Sequence, residues 1–176
     1  MGGVLTLIIG GAASGKSEYA ERLAAAAPGP RVYLATMRRH DAECEARIKK
    51  HRAARAGRGF VTCEREAGLA RLALPAGTRT VLLEDLGNLA ANELYGGAGE
   101  GAFDAALAGI DELCARAARV YVVSNEVFSD GAPYDPGTRR YIELLGALNR
   151  ALAARADRVV EVVCGIPLIW KGGTTE

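Results

Sequence analysis

Aromatic residues are scarce in this chain of 176: one Trp, three Phe and six Tyr make up 6% of it. The core must then come from small aliphatic side chains, and there is no stacking platform of the kind single-stranded nucleic acids use. An excess of one charge is missing too. Lys and Arg number 22 against 21 Asp and Glu, whereas a dedicated nucleic-acid binder carries a large basic excess. No apolar stretch is long enough to span a bilayer; Val4 to Ile9 is far too short. The residues before it form neither a charged n-region nor a cleavage site, so the expectation is a soluble, cytoplasmic protein with no membrane contact. Cysteines are few and far apart at 44, 63, 114 and 164. They form no C-x-x-C pair and no Cys/His spacing that suits zinc, which fits a reduced compartment. There are only two histidines, His40 and His51, no internal repeat, and no N-K-x-D base-reading motif.

What is present is an alternation. Short branched runs at Val4–Ile9, Arg31–Thr36, Phe60–Glu64, Thr80–Asp85, Val120–Ser124 and Val159–Cys164 read as strands. Helical stretches separate them at Glu18–Ala27, 41–55, Asn88–Tyr95, Phe103–Ala117 and Thr138–Ala154. Pro28-Gly29-Pro30 ends the first helix and Gly57-Arg58-Gly59 the second, while Gly96 to Gly101 reads as a flexible loop and Ser129 to Gly137 as a polar one. Strands and helices at this spacing predict an α/β fold in a single domain over 1–176, with a mostly parallel sheet covered by helices on both faces.

The first strand runs into Gly10-Gly11-Ala12-Ala13-Ser14-Gly15-Lys16-Ser17, which matches G-x-x-x-x-G-K-[ST] at every fixed position. A strand before it and a helix after it are the context that makes this pattern a phosphate loop. Its glycines let successive N–H groups turn inward on an anion, and the following helix adds its positive end. Lys16 is then placed for the β- and γ-phosphates and Ser17 for Mg²⁺.

Glu84 and Asp85 close the fourth strand, where such proteins place the acid that holds the metal or its water. Glu84 continues the strand and is the better placed; either residue could instead cap the helix that follows. Arg47, Lys49, Lys50, Arg52, Arg55 and Arg58 surround His51 with no acidic residue among them. That cluster reads as a solvated basic face, as a weak RNA-binding patch, or as cations gathered around a triphosphate and a nucleophilic imidazole. His40 beside Arg38-Arg39 reads as surface.

Six segments in order carry a further signal: the phosphate loop, Val32-Tyr33-Leu34-Ala35-Thr36, Ala46-Arg47-Ile48-Lys49-Lys50-His51-Arg52, Leu82-Leu83-Glu84, Val123-Ser124-Asn125-Glu126-Val127 and Cys164-Gly165-Ile166-Pro167-Leu168. Together they resemble the adenosylcobinamide kinase/adenosylcobinamide-phosphate guanylyltransferases of cobalamin biosynthesis along nearly the whole chain. The resemblance implies a RecA-like P-loop domain that assembles as a trimer and acts on a small-molecule corrinoid. It implies two reactions: phosphorylation of adenosylcobinamide by ATP or GTP, and transfer of GMP from GTP through a GMP-histidine intermediate. His51 is the implied nucleophile, with Lys16 as the other catalytic residue. Residues Gly10 to Ser17, Thr36, Met37, Arg52, Glu64 and Glu84 are the implied nucleotide contacts, and Ser17 and Glu84 the implied metal ligands. Lys50 stands where some members have a first histidine, and Phe128 to Asp135 replaces a Gly-rich segment leading to Pro-Glu-Asn. A P-loop kinase for another small molecule needs Lys16, Ser17 and Glu84 but not His51. A nucleotide-dependent RNA- or partner-binding protein would use the basic segment instead.

Overall fold

The computed structural model describes residues 2–38, 57–127 and 133–173. The predicted helix over 41–55, with Cys44, His51 and Arg52, lies outside the described residues, as do His40, Phe128 and 129–132 of the polar loop. The described elements run β1 (Val4–Gly10), α1 (Lys16–Ala26), β2 (Arg31–Ala35), β3 (Phe60–Glu64), a 3₁₀ turn (Leu69–Arg71), β4 (Thr80–Glu84) and α2 (Leu86–Gly96). A second 3₁₀ turn (Gly99–Gly101), α3 (Ala102–Arg116), β5 (Arg119–Asn125), α4 (Pro136–Arg155), β6 (Arg158–Val163) and β7 (Ile166–Lys171) complete them.

The seven strands form one sheet in the order β3-β2-β4-β5-β1-β6-β7. All neighbours are parallel except the β6–β7 hairpin. Strand side chains alternate between faces, and on the central strands β1, β2, β4 and β5 both faces are largely buried. Leu5 and Leu7 of β1 and Leu83 of β4 pack with Leu86 and Leu89 of α2, Ile110 of α3 and Leu148 of α4. Ile8 and Leu82, on the opposite face, meet Tyr19, Ala20 and Ala24 of α1. Burial on both sides is why these strands are continuous apolar runs instead of alternating ones. It also explains the composition: Ala20 and Ala24, both fully buried, let α1 lie close to the sheet.

Several expected boundaries shift for local reasons. Helix α1 starts at Lys16, two residues before the expected Glu18, directly after Gly15, which takes the left-handed turn (φ 89°) that glycine adopts without steric cost. Strand β4 stops at Glu84, since Asp85 leaves the strand and caps α2, its Oδ1 accepting from Asn88 N at 2.7 Å. The expected glycine loop at 96–101 is largely ordered: Gly96 closes α2, a 3₁₀ turn follows, and the buried Glu93 carboxylate accepts from Ala98 N and from Gly68 N. Strand β7 was not expected. It follows a two-residue turn, Cys164-Gly165, in which both residues have positive φ (50° and 78°), the geometry that suits a tight hairpin.

Candidate functional site: a phosphate loop facing a buried acid

Strand register brings the candidate residues to one edge of the sheet. Gly10 pairs with Asn125, and Ala35 pairs with Glu84 on one side and Glu64 on the other. These are carboxyl ends of parallel strands, where open α/β sheets bind ligands. Strand β5 lies between β1 and β4, so the acid strand is one strand removed from the loop strand.

The loop is held tightly at its ends and open in the middle. A Cβ on Gly10 would lie 2.7 Å from the Val162 carbonyl oxygen and 2.5 Å from Ser14 Oγ, so only glycine fits there. Among the described residues nothing lies within 4 Å of the corresponding point on Gly11, which leaves the backbone open to a ligand's approach. Ala13 adopts φ 55°, a left-handed conformation that an alanine takes only when its surroundings impose it. Two backbone bonds brace the frame: Glu126 N donates to Gly10 O at 3.0 Å, and Gly165 N donates to Ser14 O at 2.8 Å. Among the described residues no side chain caps the start of α1, so its first N–H groups remain available to an anion.

Lys16 is buried, and its ammonium donates to Gly11 O at 3.0 Å, which folds the side chain back across the loop. Ser17 Oγ donates to Glu84 Oε1 at 2.5 Å, joining loop and acid strand directly. The second carboxylate oxygen of Glu84 is buried without a hydrogen-bond partner among the described residues. Burial pushes the Glu84 carboxyl up from 4.5 to about 7, against the Ser17 hydrogen bond and the Lys16 charge; the Asp85 charge adds to the rise. Asp85 is raised as well, chiefly by burial, with Asn88 and Asn125 holding it down.

Residues 10–17 and Glu84 therefore converge. Thr36 does not present its hydroxyl to the cleft: it is fully buried, accepts from Asp85 N at 2.9 Å and donates to Asp85 O at 2.8 Å. Its place is to fix the Glu84–Asp85 junction. Met37 follows, half-buried at the exit of β2, and Glu64 stands exposed at the end of β3. His51 and Arg52 lie outside the described residues. The sequence reading passed over a polar cluster around Gly87. A Cβ there would meet Asn125 Nδ2 and Tyr141 OH, each at 2.9 Å, and Asp85 Oδ1 at 3.1 Å. Only the glycine directly after the β4–α2 junction hinted at such crowding.

A sequence model of the family described as cobinamide kinase / cobinamide phosphate guanyltransferase matches residues 6–169. The bifunctional adenosylcobalamin biosynthesis protein CobP of Pseudomonas aeruginosa is 36% identical over 170 residues, covering 94% of this chain and 96% of that protein. The bifunctional adenosylcobalamin biosynthesis protein CobU is 33% identical in Salmonella typhimurium and 35% in Escherichia coli; each match covers 93% of this chain and 97% of the relative. Among solved structures, the flagellar accessory protein FlaH from Methanocaldococcus jannaschii superposes with a TM-score of 0.53 over 98% of this chain and 80% of its own. At 14% identity it attests a shared α/β fold alone. With a phosphate loop set against a buried acid and a match spanning residues 6–169, the chain belongs to the cobinamide kinase/cobinamide phosphate guanyltransferase family.

Proposed function

We propose that this enzyme runs both reactions of its family on one phosphate loop: phosphorylation of adenosylcobinamide by ATP or GTP, then transfer of GMP from GTP to the phosphorylated product. The observation that carries the reading is the family match over residues 6–169. The geometry supports it, because both reactions require a triphosphate held by its β- and γ-groups, and the loop with Lys16 is built for that grip.

In the first reaction the acceptor hydroxyl attacks the γ-phosphorus. The bond to the bridging oxygen breaks, and the nucleoside diphosphate leaves in the loop. The ammonium of Lys16 exchanges its Gly11 carbonyl partner for phosphate oxygens and neutralises charge growing on the leaving group. In the second, a ring nitrogen of His51 attacks the α-phosphorus of GTP. Pyrophosphate leaves in the same cradle, and the acceptor phosphate then displaces the histidine from the GMP. Arg52 and Glu64 are assigned to the nucleotide in this reading. Thr36 holds the Glu84–Asp85 junction in place, and Met37, next in sequence, is assigned to the nucleotide with them.

Ser17 and Glu84 fit a divalent cation. Hydroxyl and carboxylate oxygens are the hard donors Mg²⁺ takes, and the Glu84 oxygen without a partner is the donor such an ion would use. When bound, Mg²⁺ supplies charge neutralisation on the phosphate oxygens.

The assembly is assigned to the outer hairpin. Strand β7 exposes Ile166 at 62% and Trp170 at 69%, beside Leu168 and Ile169; an apolar sheet edge of this kind is a natural contact between copies, here in a trimer. Among the described residues no helix is long and apolar enough to cross a membrane.

The test is incubation with Mg²⁺ and GTP followed by intact mass and peptide mapping, beside an assay of cobinamide phosphorylation by ATP. A GMP-sized, acid-labile adduct on His51 supports the second reaction, and a phosphorylated corrinoid the first. Bound GTP with no adduct and no corrinoid product would reduce the enzyme to a P-loop kinase of another substrate.

A further inference from the structure

We propose that Asn125, at the end of β5, is a positioning residue for the cation site: its side chain ties the acid strand to the loop strand and so sets where Glu84 stands relative to Ser17. This rests on the Ser17–Glu84 cation site proposed above and goes beyond it by naming the group that aligns its two halves.

Those halves belong to strands that are not neighbours. Ser17 lies on α1, just after β1 and the loop, Glu84 ends β4, and β5 runs between the two strands. The β1–β5 register continues up to Gly10 and Asn125, where the phosphate loop begins, and Glu126 N donates to Gly10 O just beyond. The β4–β5 register stops earlier, at Leu83 and Val122. Glu84 and Asp85 therefore project past the last pair that β4 shares with β5. On their other side they are well held. Ala35 pairs with Glu84, Thr36 N donates to Glu84 O at 3.1 Å, and the Thr36 hydroxyl bonds the Asp85 backbone. An acid fixed to β2 alone would follow β2, and its distance from the loop would be unset.

Across the open side, a side chain does what the ladder no longer does. The Asn125 amide donates to the Asp85 carboxylate. Asn125 Nδ2 and Asp85 Oδ1 stand 2.9 and 3.1 Å from the point where a Cβ on Gly87 would lie, so the two groups meet over a glycine that leaves no slack. Asp85 is itself rigid: Oδ1 accepts from Asn88 N at 2.7 Å, and Oδ2 from Asn88 Nδ2 at 3.2 Å. Asn125 is held from behind by α4. Asn149 Nδ2 donates to Asn125 O at 3.4 Å, and Asn149 Oδ1 accepts from Ser124 Oγ at 2.6 Å. Asn149 and Ser124 are both buried, where polar groups persist only when paired. The chain of contacts from α4 thus ends at the residue next to Glu84. Groups that stand behind a metal's ligands set its affinity by fixing their orientation.

The test is binding to the full chain, with Mn²⁺ as a spectroscopic stand-in for Mg²⁺ and a non-hydrolysable GTP analogue present. Electron paramagnetic resonance reads the Mn²⁺ affinity, and calorimetry in chelator reads the metal-free affinity for the analogue. Asn125→Ala should weaken Mn²⁺ binding about tenfold while the metal-free affinity stays within about twofold. Asp85→Ala should weaken Mn²⁺ binding at least as far. The double variant should then be no weaker than Asp85→Ala alone, because the asparagine acts through the aspartate. Melting temperatures show which variants are folded; Asn125→Ser, too short to reach Asp85, replaces an alanine variant that is not. Unchanged Mn²⁺ affinity in a folded Asn125 variant, or losses that add in the double variant, would overturn the tie. A parent protein whose Mn²⁺ affinity is untouched by Glu84→Gln would overturn the cation site itself, and the tie with it.

Discussion

Glu84→Gln should stabilise the ligand-free protein under alkaline conditions while crippling it as an enzyme. Burial places the folded-state pKa of Glu84 at about 7, above the 4.5 of an ordinary glutamate. Between those values the unfolded chain has released its proton and the folded one has kept it. The folded state binds more protons, so stability falls as pH rises through that window and levels off above about 7. The gap corresponds to about 3 kcal/mol of lost stability. Water reaching the cleft screens part of it, which leaves about 2 kcal/mol. Glutamine keeps an oxygen to accept the Ser17 hydroxyl and removes the buried charge. At about pH 8, without nucleotide or divalent metal, Glu84→Gln should therefore melt about 4–8 °C above the parent, and near pH 5 the two should coincide. The same variant should lose about 100-fold or more in phosphoryl transfer, because the proposed cation ligand is gone. Differential scanning calorimetry across pH is the assay. A Glu84→Gln melting temperature equal to or below the parent's at about pH 8, or a difference that does not change with pH, would refute the burial argument.

Lys16→Ala should reduce both phosphoryl and guanylyl transfer about 1,000-fold or more, measured as corrinoid phosphate and GMP adduct; full retention of either would remove the lysine from that reaction. His51→Ala should abolish the GMP adduct while leaving phosphorylation within about threefold of the parent, and equal loss of both would give His51 a merely structural role. Gly10→Ala puts a methyl group 2.7 Å from the Val162 carbonyl oxygen; urea unfolding should show a loss of about 1–3 kcal/mol together with weaker nucleotide binding. Ile166→Asp, on the exposed hairpin, should lower the oligomeric mass in light scattering and leave the monomer's melting curve within about 2 °C. An unchanged mass would move the contact elsewhere.

The fold was legible because each buried strand writes itself as a short apolar run and each phosphate-loop residue has a fixed chemical duty. Gly10, Lys16 and Ser17 could be read from motif spacing; Glu84 was legible only as the better placed of two acids at a strand end, and the structure joins it to Ser17. Asp85 was ambiguous for a physical reason. A carboxylate at a strand end can serve a metal or cap the next helix equally well by sequence, and here it caps α2 through Asn88. Thr36 shows a different difficulty: the family resemblance implies a nucleotide contact there, while in the structure its hydroxyl is bonded on both sides to the Asp85 backbone. Strand β7 was missed because a Cys-Gly turn is a weak hairpin signal and Pro167 argues against a strand. Pro167 is tolerated only because β7 is the sheet's edge. A cavity beside the phosphate loop, walled by Gly11, Val127, Tyr134 and Tyr141, was invisible because its walls come from three separate stretches of chain.

The bond from Gly165 N to Ser14 O has a thermodynamic consequence. The hairpin that carries the exposed apolar surface is also a strut of the loop that grips phosphate. Whatever docks on β7 and whatever fills the loop then act on a shared backbone contact. If docking tightens nucleotide binding by some factor, the nucleotide must tighten docking by the same factor. Filling the phosphate cradle and completing the quaternary structure would then be two readings of a single equilibrium.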